Sequence, residues 1–248
     1  MNDSISTTSP DWPTRWPRGS FKSVWTWVLA GTLALLFVGV FVAQQVTGVP
    51  QQNLPAASID AAVGAQVAID ALLVVLVLSV LPALSRFSLR ELGFRVPDKT
   101  VVAVAVVGTL AMIVVANGSS ILIDYFTHSP HEQSIIQIFQ QLHDPGSIAL
   151  FVVFAVAFVP FAEETVFRVF FFNLGLRFGG FWAGAVLSGV LFGVAHGDVY
   201  AALPLALGGI ILCAVYYRTR NAFASMMTHS LFNTFSLVLL LVAPNLAK

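Results

Sequence analysis

Apolar positions along this chain run in long unbroken stretches instead of alternating with polar ones. They fall near residues 24–46, 63–84, 101–123, 147–171, 181–196, 200–217 and 222–243, and a helix needs about 20 such residues to cross the roughly 30 Å hydrocarbon layer of a bilayer. The pattern predicts an all-α polytopic membrane bundle of about seven transmembrane helices. Its fifth and sixth members are short and joined only by Gly197 to Val199. The first stretch is too long for the apolar region of a signal peptide, and no small-x-small cleavage pattern follows it, so it is expected to remain as an anchor. Residues 1–22 are expected to form a flexible cytoplasmic tail and residues 23–248 one integral membrane domain, whose motif-bearing core lies at about 147–243. Within 124–146, Ile135, Ile138, Phe139 and Leu142 recur at helical spacing, which predicts a short helix on the outer surface. No internal repeat is evident, which argues against a two-half inverted-repeat transporter.

Composition sharpens this picture. Apolar residues make up 57% of the 248 positions and charged residues only 10%, a balance that water-soluble domains do not show. Twelve Lys and Arg offset twelve Asp and Glu, which excludes both a basic nucleic-acid face and an acidic disordered chain. The one cysteine, Cys213, allows no internal disulfide and reads as an apolar filler. Arg15, Arg18, Lys22, Arg86, Arg90, Arg95, Lys99, Arg168, Arg177, Arg218 and Arg220 all fall on one side of the predicted crossings, and only Lys248 falls on the other. Basic residues stay in the cytoplasm, so the expected arrangement is a multi-pass plasma-membrane protein with its N-terminus inside and its C-terminus outside.

Chemistry must then come from the few polar side chains set in apolar runs, because a charge at bilayer depth costs about 2.5–3.5 kcal/mol and needs a partner or a task. They are Asp70, Glu163, Glu164, Arg168, His196, His229 and Asn233, with His128, His131 and His143 outside. Glu164 and Arg168 are four apart and share a helical face, as an ion pair requires. Glu163 points about 100° away, toward a neighbouring helix or cavity. Pro160 cannot donate a backbone hydrogen bond and is expected to free the carbonyl of Val156 just before the pair. Phe192 lies one turn below His196, and His229 shares a face with Asn233. Ala185, Gly189, Gly193 and Gly197 form a small-residue stripe that lets a helix backbone approach its neighbour. The plainer reading is a charged helix end and interhelical hydrogen bonds. Asp70 has no assigned role.

Glu163-Glu164-x-x-x-Arg168, Phe192-x-x-x-His196 and His229-x-x-x-Asn233, in that order on successive helices, resemble the CPBP family of intramembrane proteases, also called the Abi or type II CAAX prenyl endopeptidase family. The resemblance implies an endopeptidase acting on a membrane-associated protein or peptide, with prenylated CAAX-type substrates among the candidates and no nucleic-acid partner. It implies that Glu163 activates the attacking water, that His196 helps to hold it, and that His229 and Asn233 face the scissile carbonyl and its oxyanion. Glu164 and Arg168 would support the site as an ion pair, with Phe192 packed beneath. Zinc stays open: Glu163, His196 and His229 would leave it a free position for water, although glutamate-activated water without a tightly held metal is the favoured reading. Two other readings compete. One is an ion or proton transporter lined by Asp70, Glu163, His196 and His229, the other a non-catalytic immunity or scaffold protein on the same frame. Counted along straight spans, Glu163 sits near the cytoplasmic end, His229 a third of the way in and His196 deeper, so the assignment requires helices that bring the three level.

Overall fold

The computed structural model describes residues 16–47, 56–128 and 139–242. Among them are six helices long and apolar enough to cross a membrane: α1 (Val24–Thr47), α2 (Ala56–Ser85), α3 (Lys99–Thr127), α4 (Pro145–Ala195), α5 (Val199–Thr219) and α6 (Ala222–Val242). No strand occurs among the described residues. Three helices start on an aspartate whose side chain takes up free N–H groups of the first turn, the usual remedy for the orphan donors there. Asp98 accepts from Val101 at 2.8 Å, Asp144 from Ser147 at 2.9 Å, and Asp198 from Tyr200 and Ala201 at 2.9 and 3.1 Å.

The fourth helix has 51 residues, about 77 Å if straight and more than twice the hydrocarbon thickness. It doubles back at Gly180, whose φ of 73° and ψ of −170° lie in a region that only glycine occupies readily. The two arms, residues 145–179 and 181–195, then pack so closely that a Cβ on Gly175 would fall 2.5 Å from the Cα of Gly184. Ser188 on the returning arm donates to the Phe167 carbonyl at 2.7 Å. The arms are the fourth and fifth predicted spans, joined among the described residues into one of the six membrane-length helices.

Several sequence expectations change here. The first arm runs on to residue 179 instead of ending near 171, and Arg168 lies fully buried within it. Arg168 is therefore no cytoplasmic charge and says nothing about orientation. Residues 16–22, read as part of a tail, fold against the bundle: Phe21 is completely buried, its ring meets Trp16 at 5.5 Å, and its N–H donates to the Leu84 carbonyl. Gly197 does not extend the small-residue stripe. It has a φ of 71° just past the end of the returning arm, where its N–H donates to the Val194 carbonyl and closes the helix. Gly189, by contrast, does what the stripe predicts, since a Cβ there would meet the Ala206 carbonyl of α5 at 2.7 Å. Of the predicted surface helix, Ile135 and Ile138 lie outside the described residues. Phe139 and Leu142 pack with Phe151 and Leu240 in a small apolar cluster.

The main core gathers around the two arms. Phe167, Phe170, Phe171, Phe172 and Phe192 are buried there with Val77 and Leu81 of α2 and Tyr216 of α5, and Phe37 of α1 sets its ring 5.2 Å from Phe167. At the end of the bundle where the basic residues collect, the 86–98 connection clasps the turn between α5 and α6. The Ala222 N–H donates to the Gly93 carbonyl at 2.9 Å, Arg95 donates to the Arg220 carbonyl at 2.7 Å, and Asn221 donates to the Arg95 carbonyl at 3.0 Å. Tyr216 donates to the Leu92 carbonyl at 2.7 Å and accepts from Asn173 of the first arm at 2.8 Å. Asn173 stands seven residues before Gly180 and Tyr216 only three before the end of α5. The hairpin turn therefore reaches past its neighbours by about one helical turn.

Candidate active site

That overhang brings the polar side chains level. Glu163 stands 17 residues before Gly180 and His196 stands 16 after it, so a hairpin with close arms places both at nearly one height. His229 approaches from α6, seven residues from that helix's start. The carboxylate of Glu163 lies between the two rings, with Oε1 3.8 Å from His196 Nε2 and Oε2 3.7 Å from His229 Nε2. Both gaps exceed a direct hydrogen bond, and a water set to one side of the line between the atoms can reach both.

The far side of each ring is fixed. His196 Nδ1 lies 2.7 Å from the Phe192 carbonyl; a carbonyl only accepts, so Nδ1 carries the proton. His229 Nδ1 lies 3.1 Å from Glu164 Oε1, and the same oxygen meets Arg168 Nη1 at 3.2 Å, so this nitrogen also donates. In each neutral ring Nε2 is then an acceptor, and both Nε2 atoms face Glu163. Glu163 Oε2 itself is buried without a hydrogen-bond partner. Three acceptors around one small space call for a donor between them.

Beneath the rings lies a sealed layer. Glu164 and Arg168 are both fully buried, and the guanidinium carbon sits 4.3 Å from the centre of the Phe192 ring, a cation over an aromatic face. The same ring contacts His196 at 4.8 Å and His229 at 5.7 Å. Gly209 of α5 makes room for the guanidinium: a Cβ there would lie 3.2 Å from Arg168 Nη2. The layer above is open, with side-chain exposure of 21% for Glu163 and 31% for His196 against 5% for His229.

The first arm gains its shape from wide turns. Residues Phe154–Phe158 and Thr165–Phe172 are π-helical and enclose the short α-helical segment Val159–Glu164, a departure that is common at functional sites. In the five-residue register Val159 N–H donates to the Phe154 carbonyl, so the donor missing at Pro160 leaves Ala155 unserved, and not Val156 as a regular helix would. Asn233 supplies it, donating to the Ala155 carbonyl at 2.8 Å.

Other residues take up different places. Asp70 is partly buried on α2, accepts from Gln66 at 3.0 Å, and is close enough to interact electrostatically with Glu163 and His196. It lies on the α2 face of Leu73, Val77 and Leu81, which packs against the core. His128 caps the end of α3 and His143 is exposed, while His131 lies outside the described residues. Nothing in the residue pattern pointed to the bond from Glu164 to His229, nor to Gln45 donating to the Gly197 carbonyl at 2.6 Å, which ties α1 to the loop after His196. The polar Gln44-Gln45 pair ending an apolar helix was the signal available. Glu163 and two imidazoles are suitable donor types for zinc. Even so, among the described residues no three His, Cys, Asp or Glu side chains converge as metal ligands.

Fold and site together define a membrane-embedded helical protein in which a carboxylate lies within 4 Å of two imidazoles, 3.8 Å from one and 3.7 Å from the other. Residues 145–235 match the family model described as type II CAAX prenyl endopeptidase Rce1-like, so the resemblance carried by the three motifs extends over the helices that bear them. The chain is 24% identical over 111 residues to "Putative membrane peptidase YdiL" of Bacillus subtilis (strain 168), an alignment that covers 45% of this chain and 43% of that protein. It is 34% identical over 84 residues to "UPF0177 protein YvdC" of Lactococcus lactis subsp. lactis (strain IL1403), covering 33% of this chain and 32% of that one. The chain thus spans less than half the length of these relatives. No solved structure gives a significant match.

Proposed function

We propose that the protein is an intramembrane endopeptidase that hydrolyses a peptide bond of a membrane-associated protein or peptide by glutamate-activated water. The observation that carries this reading is the placement of the Glu163 carboxylate between two Nε2 acceptors, each within one water's reach. A water held there donates to Glu163 and to a ring, which turns its lone pair toward an incoming carbonyl carbon. Glu163 takes the proton as the C–O bond forms and passes it to the leaving amine as the C–N bond breaks. If His229 Nε2 takes up a proton it becomes a donor, and it can then serve the oxyanion while Glu164 holds Nδ1. A transport pathway needs polar groups at successive depths, whereas Glu163, His196 and His229 gather at one level.

The match to prenyl endopeptidases and the burial of the site among apolar helices favour a chain anchored in the bilayer, with a prenyl group as one such anchor. The test is to incubate purified protein with a library of membrane-anchored peptides, prenylated and not, and to compare it with Glu163→Gln. Cleavage by the wild type that disappears in the variant is expected. Equal cleavage by both would end the reading.

A further inference from the structure

Asn233 lies one turn beyond His229 on the same face of α6, and its position alone suggests a second group aimed at substrate. The geometry points elsewhere. We propose that Asn233 is a positioning residue whose amide replaces the hydrogen bond that Pro160 deletes, pinning the first arm of α4 to α6 and so holding Glu163 opposite His229.

The argument starts from the backbone. A carbonyl in the hydrocarbon layer must be paired within the protein, because water is absent there. Pro160 has no N–H, and the π-helical register of residues 154–158 assigns that loss to Ala155. The Ala155 carbonyl can only accept, so the atom of Asn233 that meets it at 2.8 Å is the amide nitrogen. Ala155 is eight residues before Glu163, on the same arm, and Asn233 is four residues after His229. One side-chain bond therefore joins the two elements whose spacing sets the gap of 3.7 Å between Glu163 and His229. Side-chain bonds of this kind are the regular means by which membrane helices tolerate an internal proline. One of the two amide N–H groups is thereby committed to a backbone oxygen.

The proposal rests on Glu163 as the base, and its test separates the two claims. Asn233→Ala is expected to lower kcat by roughly 10²-fold with KM nearly unchanged, as a small misplacement of a base does. Pro160→Ala restores a backbone donor: in a π register residue 160 serves Ala155, and in an α register Val159 does. The double variant Pro160→Ala/Asn233→Ala is therefore expected to regain most of the lost rate. An oxyanion donor would show no such rescue, and an equal loss in both backgrounds overturns the proposal.

A second readout needs no catalysis. With Ala155 labelled as 13C=18O, its infrared carbonyl band is expected to shift to higher frequency in Asn233→Ala and to return in the double variant. If no substrate is cleaved by any form, the protease reading fails while the band still decides the pin. An unshifted band in Asn233→Ala overturns it. So does failure of both variants to fold, because the restored backbone donor should satisfy Ala155 whatever stands at 233.

Discussion

Glu163 and Glu164 are adjacent and chemically identical, yet they belong to different halves of the site. Glu164 faces the sealed half, where Arg168 and His229 Nδ1 both meet its Oε1, the Phe192 ring covers the guanidinium, no surface is exposed and Oε2 has no hydrogen-bond partner. Glu163 faces the open half, 21% exposed, with two acceptor nitrogens opposite and one oxygen unpartnered. A step of about 100° along one helix thus separates a carboxylate tied to a guanidinium and a ring nitrogen from one set between two acceptor nitrogens. Two carboxylates side by side take different tasks when their surroundings differ, and His229 joins them, with one nitrogen turned to each. The lesson is that the sealed half sets the orientation of the ring that the open half uses.

The largest expected effect divides the halves by chemistry. Glu163→Gln keeps the size of the side chain and removes the base, so hydrolysis should fall by about 10²–10⁴-fold, while the melting temperature in detergent stays within a few degrees of wild type. Parallel activity and thermal-unfolding measurements check this. A large drop in melting temperature would mean that Glu163 is structural and that the two halves do not differ as argued.

Breaking the sealed half should do the reverse. Arg168→Ala leaves Glu164 as an unpaired buried charge and removes the cation from the Phe192 ring, at a cost of about 3–5 kcal/mol. Activity should be lost together with the fold, because His229 loses the carboxylate geometry that orients it. Thermal unfolding of Arg168→Ala beside the double variant Arg168→Met/Glu164→Gln sharpens the point. The double variant should recover stability without activity, since removing both partners leaves no orphan charge.

A smaller effect is expected at the turn that brings the halves together. Gly180→Ala forces a side chain into a φ of 73° and ψ of −170°, at a cost of about 1–3 kcal/mol. Any shift in the turn also moves Glu163 relative to His196. Stability and kcat should fall together, and a change in neither would show that the arms are held in register by Gly175 and Gly184 alone.

How much of this was legible beforehand follows from what each residue's signal depends on. The apolar runs announced the helices, because crossing a bilayer is a constraint of length and composition that every residue in the run repeats. The Glu164 and Arg168 pair was legible because both partners lie on one helix at a fixed spacing. The meeting of Glu163 with two rings was legible only through the order of the motifs, and its geometry needed the overhang of the hairpin. Nothing local announces that overhang: Asn173 and Arg177 look like a helix end at the interface, and only the buried bond from Asn173 to Tyr216 shows that the arm continues. The bond made by Asn233 was hidden for a related reason. Its partner is the backbone of Ala155, 78 residues earlier, and the π register that directs Pro160's missing bond there leaves no mark in composition. Tail residues Trp16 and Phe21 had a signal, two large aromatic rings in a polar stretch, that proline and serine content obscured.

The smallest effect concerns a carboxylate outside both halves. Glu91 lies in the 86–98 clasp, and its Oε2 accepts from the Ser88 N–H at 2.8 Å and the Ser88 hydroxyl at 2.7 Å. These bonds, the hydroxyl's first, hold its carboxyl below the usual glutamate range. A group lowered in the folded state adds stability above its unfolded value, and that contribution fades as pH falls through the folded one. Amide exchange across 86–98, corrected for intrinsic rate, should therefore be flat from neutral pH down to about pH 5 and rise below about pH 4. Glu91→Gln should abolish the rise. Because Glu91 is exposed, water and salt screen the interaction, and the change should stay confined to the clasp. Spread of the same acid transition to the segment around Glu163 would show that the clasp, through Leu92 and Tyr216, also helps to hold the first arm in place.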